Sequence, residues 1–115
     1  MNWTDMRSSL LQRIGALGKV APGPVAAYAK ASAAGAESGH LDEKTRQLIS
    51  LAVAVTTRCD GCISVHAKEA VAAGATQQEI GEALGVAMSM NLGAALVYSS
   101  RAMEAATEFG ARSTG

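Results

Sequence analysis

The stretch that organises this chain is Arg58-Cys59-Asp60-Gly61-Cys62-Ile63-Ser64-Val65-His66, which contains both cysteines and one of the two histidines. Side chains three, four and seven residues apart lie on one face of a helix. A helix that begins near Cys59 therefore places Cys59, Cys62 and His66 in one stripe, with the imidazole within reach of the second sulfur. Two thiols one turn apart, with a base beside the inner one, are suited to reversible disulfide chemistry.

Three features of this stretch favour a thiolate, which is the reactive form of cysteine. A helix N-terminus offers free N–H groups and a partial positive charge. Arg58 adds a cation beside Cys59, and His66 can accept the proton of Cys62 or pair with its thiolate. Asp60 acts in the opposite direction. The pattern predicts that Cys62, with His66 as base, attacks a peroxide, and that Cys59 resolves the resulting sulfenic acid as a disulfide.

Two other interpretations of the same residues remain open. A Cys-x-x-Cys can be half of a zinc site, with His66 as third ligand and His40 as a fourth. Placement of both sulfurs and His66 on one helix is unlike a zinc knuckle and disfavours this interpretation. The pair can also be inert and buried beside a core histidine. We therefore expect redox chemistry, no metal and no bound cofactor.

Composition limits the class of protein. The 115 residues predict one domain over 1–115, with 49% hydrophobic and only 3% aromatic residues, and acidic and basic residues cancel to a net charge of zero. The sequence has no basic patch, so neither nucleic acid nor a membrane surface is predicted as a partner. The N-terminus lacks a signal-peptide pattern, and the apolar run 48–55 is too short to span a bilayer. We expect a cytoplasmic protein whose thin, alanine-rich helices favour oligomerisation.

The hydrophobic spacing predicts an all-α fold of about six helices, because no stretch alternates with period two. Thr4 or Asp5 is expected to cap the first helix and Asp42 the third, while Thr76 and Glu79 fit a capping box. Residues 91–93, with Gly93, are expected to break or kink the helical pattern. The predicted helices cover residues 4–17, 24–36, 43–55, about 59–73, 77–90 and the stretch from beyond 93 to 109, and residues 110–115 form a frayed tail. The second half of the third helix is apolar on nearly every side and is expected to be buried.

Residues 41–55, followed by the stretch 58–66, resemble the carboxymuconolactone decarboxylase superfamily and, more narrowly, its alkylhydroperoxidase D-like branch. Residues 73–80 and 82–87 continue the resemblance, which covers roughly residues 22–109. It implies an all-helical fold assembled as trimers or hexamers, and an enzyme that reduces hydroperoxides with a dithiol site. A lipoyl-type or similar dithiol would recharge that site. The Cys-x-x-Cys pair speaks against the lactone decarboxylation for which the superfamily is named.

The resemblance also assigns roles by position. Cys62 matches the peroxide-attacking cysteine of the family, Cys59 its disulfide partner, and His66 the histidine of its proton relay. The relay usually has a glutamate twelve residues before the first cysteine, where this chain has Gln47. An amide cannot take up a proton near neutral pH, so a glutamate-dependent relay would be interrupted. Glu43, one turn earlier, is a less well-placed substitute.

Three functions are therefore carried forward from the sequence. The first is a thiol-dependent hydroperoxide reductase. The second is a redox switch that forms the same disulfide without turnover, which Gln47 favours. The third is a zinc-stabilised helical module.

Overall fold

A computed structural model describes residues 2–114 as five α-helices, and it assigns no strand within that range. The helices are α1 (Trp3–Val20), α2 (Pro22–Ala34), α3 (Glu43–Thr56), α4 (Asp60–Ala72) and α5 (Gln77–Glu108). The all-α prediction is confirmed. Met1 and Gly115, the ends of the predicted domain and tail, lie outside the described residues.

The first two helices begin earlier than the sequence predicts. Asn2 caps α1, its Oδ1 accepting the N–H of Asp5 at 2.8 Å, so the capping residue is neither Thr4 nor Asp5. Pro22, not Pro24, opens α2. Proline suits this first position because its fixed φ is helical and the N–H that it lacks would have no partner within the helix.

The helix pair α3 and α4 forms the centre of the chain. Asp42 caps α3 as predicted, accepting the N–H of Thr45 at 2.8 Å. Leu51 and Ala54 of α3 and Ala70 of α4 are among the few buried hydrophobic residues. α3 also packs on α5, while α1 packs on α2 and α4. The site is therefore placed where the two best-packed helices of the chain meet.

The fifth and sixth predicted helices are one continuous helix, α5, so the predicted break at residues 91–93 is wrong. Asn91 remains helical and donates its Nδ2 to the carbonyl oxygen of Ala87 at 2.8 Å. Gly93 lowers helix propensity by only about 1 kcal/mol, which the flanking turns tolerate. The predicted capping box is confirmed, with Thr76 and Glu79 each bonded to the backbone N–H of the other.

An ion pair holds the start of α5 against α3. Lys44 Nζ lies 2.7 Å from Glu79 Oε2. The hydrogen bond between these groups lowers the pKa of Glu79 and raises the pKa of Lys44. This contact fixes the N-terminal end of α5, while most of its remaining length is exposed.

The chain alone buries little of its apolar surface. Within the described residues, the buried hydrophobic side chains are Leu51, Ala54, Ala70 and Ala87. The expected burial of the second half of α3 is only partly found, because Ile49, Val53 and Val55 are exposed. The Cα radius of gyration is 19.6 Å, whereas a compact chain of this length would have about 13 Å.

α5 is the one helix in residues 2–114 that is long and apolar enough to cross a membrane, a criterion that core helices also meet. Its residues 83–100 carry no charged side chain. This uncharged stretch is longer than the apolar run 48–55, the run whose shortness is the reason for predicting no membrane span from the sequence.

Candidate functional site

The two cysteines form a disulfide at the N-terminus of α4. Cys59 and Cys62 are bonded through their sulfurs, with their Cα atoms 5.2 Å apart. Cys59 is the N-cap residue, in extended conformation, and its Sγ accepts the backbone N–H of Cys62 at 3.1 Å. The prediction that a helix begins near Cys59 is thus confirmed. A sulfur held in this position receives one of the N–H groups that a helix N-terminus leaves without a partner.

A tight turn brings the cysteines to that position. α3 ends at Thr56, and Arg58 adopts a left-handed conformation with φ of 54°. The N–H of Cys59 then donates to the carbonyl oxygen of Ala54 at 3.1 Å. A residue other than glycine rarely adopts this conformation, so the turn places strain directly before the disulfide.

His66 faces α3 and hydrogen-bonds to Gln47. The Nδ1 of His66 and the Oε1 of Gln47 lie 2.8 Å apart, and both side chains are half-buried. The sequence predicts that the imidazole lies within reach of the second sulfur. Among the hydrogen bonds of the described residues, none joins His66 to either sulfur in this disulfide form. The two side chains that the sequence singled out on different helices, Gln47 and His66, are nevertheless in direct contact.

Glu43 does not replace a relay glutamate at His66, because it bonds to Gln47 instead. The Nε2 of Gln47 donates to Glu43 Oε1 at 2.8 Å, and Arg46 Nη2 lies 2.5 Å from Glu43 Oε2. These bonds, that from Gln47 first and that from Arg46 second, lower the pKa of Glu43. We call Glu43, Gln47 and His66, in this order, the hydrogen-bond chain.

Arg46 was missed by the sequence analysis. Its guanidinium contacts both the Glu43 carboxylate and the carbonyl oxygen of Leu41, just before α3. The signal was present in the spacing, because residues three and four apart on a helix are neighbours. Glu43, Arg46 and Gln47 have this spacing, so a pattern of contacts within α3 was predictable.

A cleft of about 390 Å³ opens beside the hydrogen-bond chain, between α2, α3 and α4. All three residues of the hydrogen-bond chain line this cleft, together with Ser32 and Ser50. Neither cysteine is among the lining residues. The cleft is partly polar, is lined by His66, and is large enough for a small molecule.

α1 packs against the first turn of α4. A Cβ at Gly61, between the two cysteines, would lie 2.9 Å from Cδ2 of Leu10. Arg7 of α1 also reaches Glu69 of α4, with Nη2 3.8 Å from Oε1. The close approach of Leu10 explains why a glycine suits this position of the Cys-x-x-Cys sequence.

The zinc interpretation depends on a ligand set that the described residues do not assemble. No three Cys, His, Asp or Glu side chains in residues 2–114 are grouped so as to hold a metal ion. Both sulfurs are bonded to each other, and His40 lies exposed between α2 and α3.

The chain is all-helical, with a Cys-x-x-Cys disulfide at the start of a helix and a histidine one turn further on. These features place it among helical proteins with a Cys-x-x-Cys pair. The sequence model of the Carboxymuconolactone decarboxylase family matches residues 22–105. The chain belongs to this family.

Three proteins illustrate its relationships. An uncharacterised protein of Haemophilus influenzae is 52% identical over 104 residues, covering 90% of this chain and 92% of its own. An uncharacterised protein of Cupriavidus necator is 30% identical over 103 residues, covering 87% and 91%. The apo crystal structure of a carboxymuconolactone decarboxylase family protein from Legionella pneumophila has a TM-score of 0.73 at 32% identity, covering 95% of this chain and 97% of that one.

Proposed function

We propose that this protein is a thiol-dependent hydroperoxide reductase of the alkylhydroperoxidase D-like branch, which cycles Cys59 and Cys62 between dithiol and disulfide. The observation that carries the proposal is the disulfide at the start of α4, on the same helix as a half-buried histidine. In this proposal Cys62 attacks, Cys59 resolves, His66 is the base and Gln47 orients it.

The oxidation half of the cycle consumes one hydroperoxide. His66 takes the proton of the Cys62 thiol, and the thiolate attacks the terminal oxygen of ROOH. The O–O bond breaks, Cys62 becomes a sulfenic acid, and the leaving alkoxide takes the proton from His66 and departs as ROH. The Cys59 thiol then displaces the hydroxyl group, which leaves as water once protonated, and the disulfide forms.

The reduction half requires an external dithiol, for which we propose a lipoyl-type or similar compound. One of its thiolates attacks the disulfide, and the second closes its own disulfide and releases both cysteines reduced. The N–H of Cys62 that donates to Cys59 Sγ favours Cys59 as the leaving sulfur. No cofactor is needed, since the electrons pass from dithiol to peroxide through the two cysteines.

A redox switch without turnover is the second candidate, and Gln47 is the observation that favours it. An amide can orient His66 but cannot carry a proton away from it. A disulfide that forms once, and is reduced only slowly, would then report oxidant without consuming it catalytically.

The test is hydroperoxide consumption by the reduced protein with excess dihydrolipoamide. We expect turnover in the native chain and loss of turnover in Cys62→Ser. Because Gln47→Glu alone would place two carboxylates side by side, the matched variant is Glu43→Gln/Gln47→Glu, which exchanges amide and carboxylate at constant charge. General base catalysis is worth about a hundredfold or more, so even a partly restored relay should raise turnover about tenfold.

The outcomes separate the two candidates. One oxidation per subunit, with no turnover even in the exchanged variant, would establish the redox switch. Absence of any disulfide after peroxide treatment would refute both. Turnover that persists in Cys62→Ser but is lost in Cys59→Ser would reverse the roles assigned to the cysteines.

We also propose that the protein acts in the cytoplasm as a homo-trimer or homo-hexamer, without nucleic acid or membrane as a partner. Support for a homo-oligomer comes from the accessible surface of 8728 Å², where a compact monomer of this mass would expose about 5,900 Å². The excess, roughly 2,800 Å² per chain, is what a stable homo-oligomer would bury.

A further inference from the structure

The hydrogen-bond chain has a direction, which follows from what each group can donate. Glu43, with its pKa lowered, is a carboxylate at neutral pH and can only accept. The amide nitrogen of Gln47 must therefore face Glu43, as its 2.8 Å bond shows. The amide oxygen is left facing His66, and an oxygen of this kind can only accept.

We infer that Glu43, acting through the Gln47 amide, holds neutral His66 in the tautomer that carries its proton on Nδ1, leaving Nε2 as the basic nitrogen. Glu43 and Gln47 are thus positioning residues. This inference concerns the imidazole itself and stands whether or not the protein reduces peroxides.

Gln47 alone would not suffice, because an amide can turn over and present either its oxygen or its nitrogen to the ring. Glu43 removes this ambiguity because its carboxylate can only accept a hydrogen bond. Arg46 in turn occupies Oε2 of Glu43, so that Oε1 is directed to Gln47. Three side chains of α3 thereby determine which nitrogen of a histidine on α4 is protonated.

For the reaction, one consequence rests on the proposed function. The proton on Nδ1 cannot pass to Gln47, so the same nitrogen, Nε2, both takes the thiol proton and returns it to the leaving alkoxide. His66 then acts as a proton shuttle with one working nitrogen. A carboxylate at position 47 would open the second nitrogen to proton transfer as well.

The experiment is a long-range ¹H–¹⁵N spectrum of the imidazole rings in uniformly ¹⁵N-labelled oxidised protein, at about pH 8.5, above the usual titration range of histidine. His40, which is exposed, serves as a reference in the same spectrum. We expect His66 as the Nδ1–H tautomer and His40 as the Nε2–H tautomer that a free imidazole prefers.

Two variants test the role of Glu43. Glu43→Gln leaves two amides that can each reverse, so the ratio of Nδ1–H to Nε2–H at His66 should fall about fivefold or more, because a charged acceptor binds more strongly than a neutral one. Glu43→Gln/Gln47→Glu places an acceptor-only group directly at Nδ1 and should restore the native tautomer. His40 should not change in either variant.

Nε2–H at His66 in the native protein would refute the inference, and so would a ratio that Glu43→Gln leaves unchanged. The backbone amide spectrum of each variant shows whether the fold is retained, and if Glu43→Gln is unfolded, the native and exchanged proteins still decide the tautomer. Failure of the proposed function would appear separately, as an absence of peroxide turnover in a protein whose His66 has the expected tautomer.

Discussion

Arg58 combines a strained backbone with a cationic side chain, and it directly precedes Cys59, the proposed resolving cysteine. Glycine adopts this left-handed φ at no steric cost, whereas other residues adopt it less readily. Arginine therefore occupies a position where another residue would fit the backbone better. Its charge gives a reason, since a cation near Cys59 favours the thiolate.

We predict that Arg58→Gly keeps or raises stability and slows the chemistry. Removal of the left-handed strain is worth about 1 kcal/mol, and it is partly offset by the greater freedom of glycine in the unfolded chain. Denaturant unfolding of the reduced protein measures the first effect. The rate of reaction with a thiol-specific disulfide reagent at fixed pH measures the second, and it should fall.

Two controls separate backbone from charge. Arg58→Lys retains both the strain and the cation and should resemble the native protein in both measurements. Arg58→Val, with a branched side chain that is poorly suited to positive φ, should lower stability. A native reaction rate in Arg58→Gly would show that the cation has no effect on the thiols.

Where α1 packs on α4, Leu10 approaches Gly61 closely. Gly61→Ala would improve the helix propensity of α4 by up to about 1 kcal/mol but would push Leu10 away. In a Leu10→Ala background there is nothing to displace. We predict that Gly61→Ala is more favourable in that background, with a coupling of about 0.5–1 kcal/mol.

A double-mutant cycle by denaturant unfolding, with all four proteins at one concentration, measures this coupling. Additive effects would contradict the contact. Leu11, which is exposed one residue further along α1, supplies the matched control: Leu11→Ala should not couple to Gly61→Ala.

The helices show how far sequence reasoning extends. The caps at Asp42 and Thr76 and the helix start at Cys59 were predictable because each depends on residues within one turn. The continuity of α5 was not, since Gly93 weakens a helix locally but the outcome depends on the cooperativity of the whole segment. The contact between Gln47 and His66 was indicated only by the family resemblance, which places both positions in one relay, because it depends on how α3 and α4 pack.

α5 is long, carries an uncharged apolar stretch and is exposed over most of its length. A helix of 32 residues is about 48 Å long, whereas α3, the helix against which it packs, has 14 residues and spans about 21 Å. Leu92 and Leu96 in its middle are 73% and 72% exposed. A solution monomer would leave this surface in water, so we expect other copies of the chain to cover it.

We predict that sedimentation equilibrium gives a mass several times the 11.7 kDa of one chain. Leu92→Glu and Leu96→Glu should each lower that mass, because a carboxylate buried in an apolar interface is costly. Ser113→Glu, which adds the same charge in the exposed C-terminal segment, should leave it unchanged.

Two results would overturn the prediction that other copies of the chain cover α5. A native mass of 11.7 kDa at all concentrations would show that α5 remains uncovered. Recovery of the native protein with lipid vesicles, and a requirement for detergent in its absence, would show that a membrane covers α5 instead.

The Gln47 amide, finally, has a genetic consequence. The codons for glutamine, CAA and CAG, become those for glutamate, GAA and GAG, by a change of the first base. A chain whose histidine is oriented by an amide is therefore one nucleotide away from a chain whose histidine faces a carboxylate. Glu43 is already adjacent to position 47. Each such change would therefore place two carboxylates next to each other, one of them facing His66. Selection would then act on the proton affinity of these three groups rather than on their geometry.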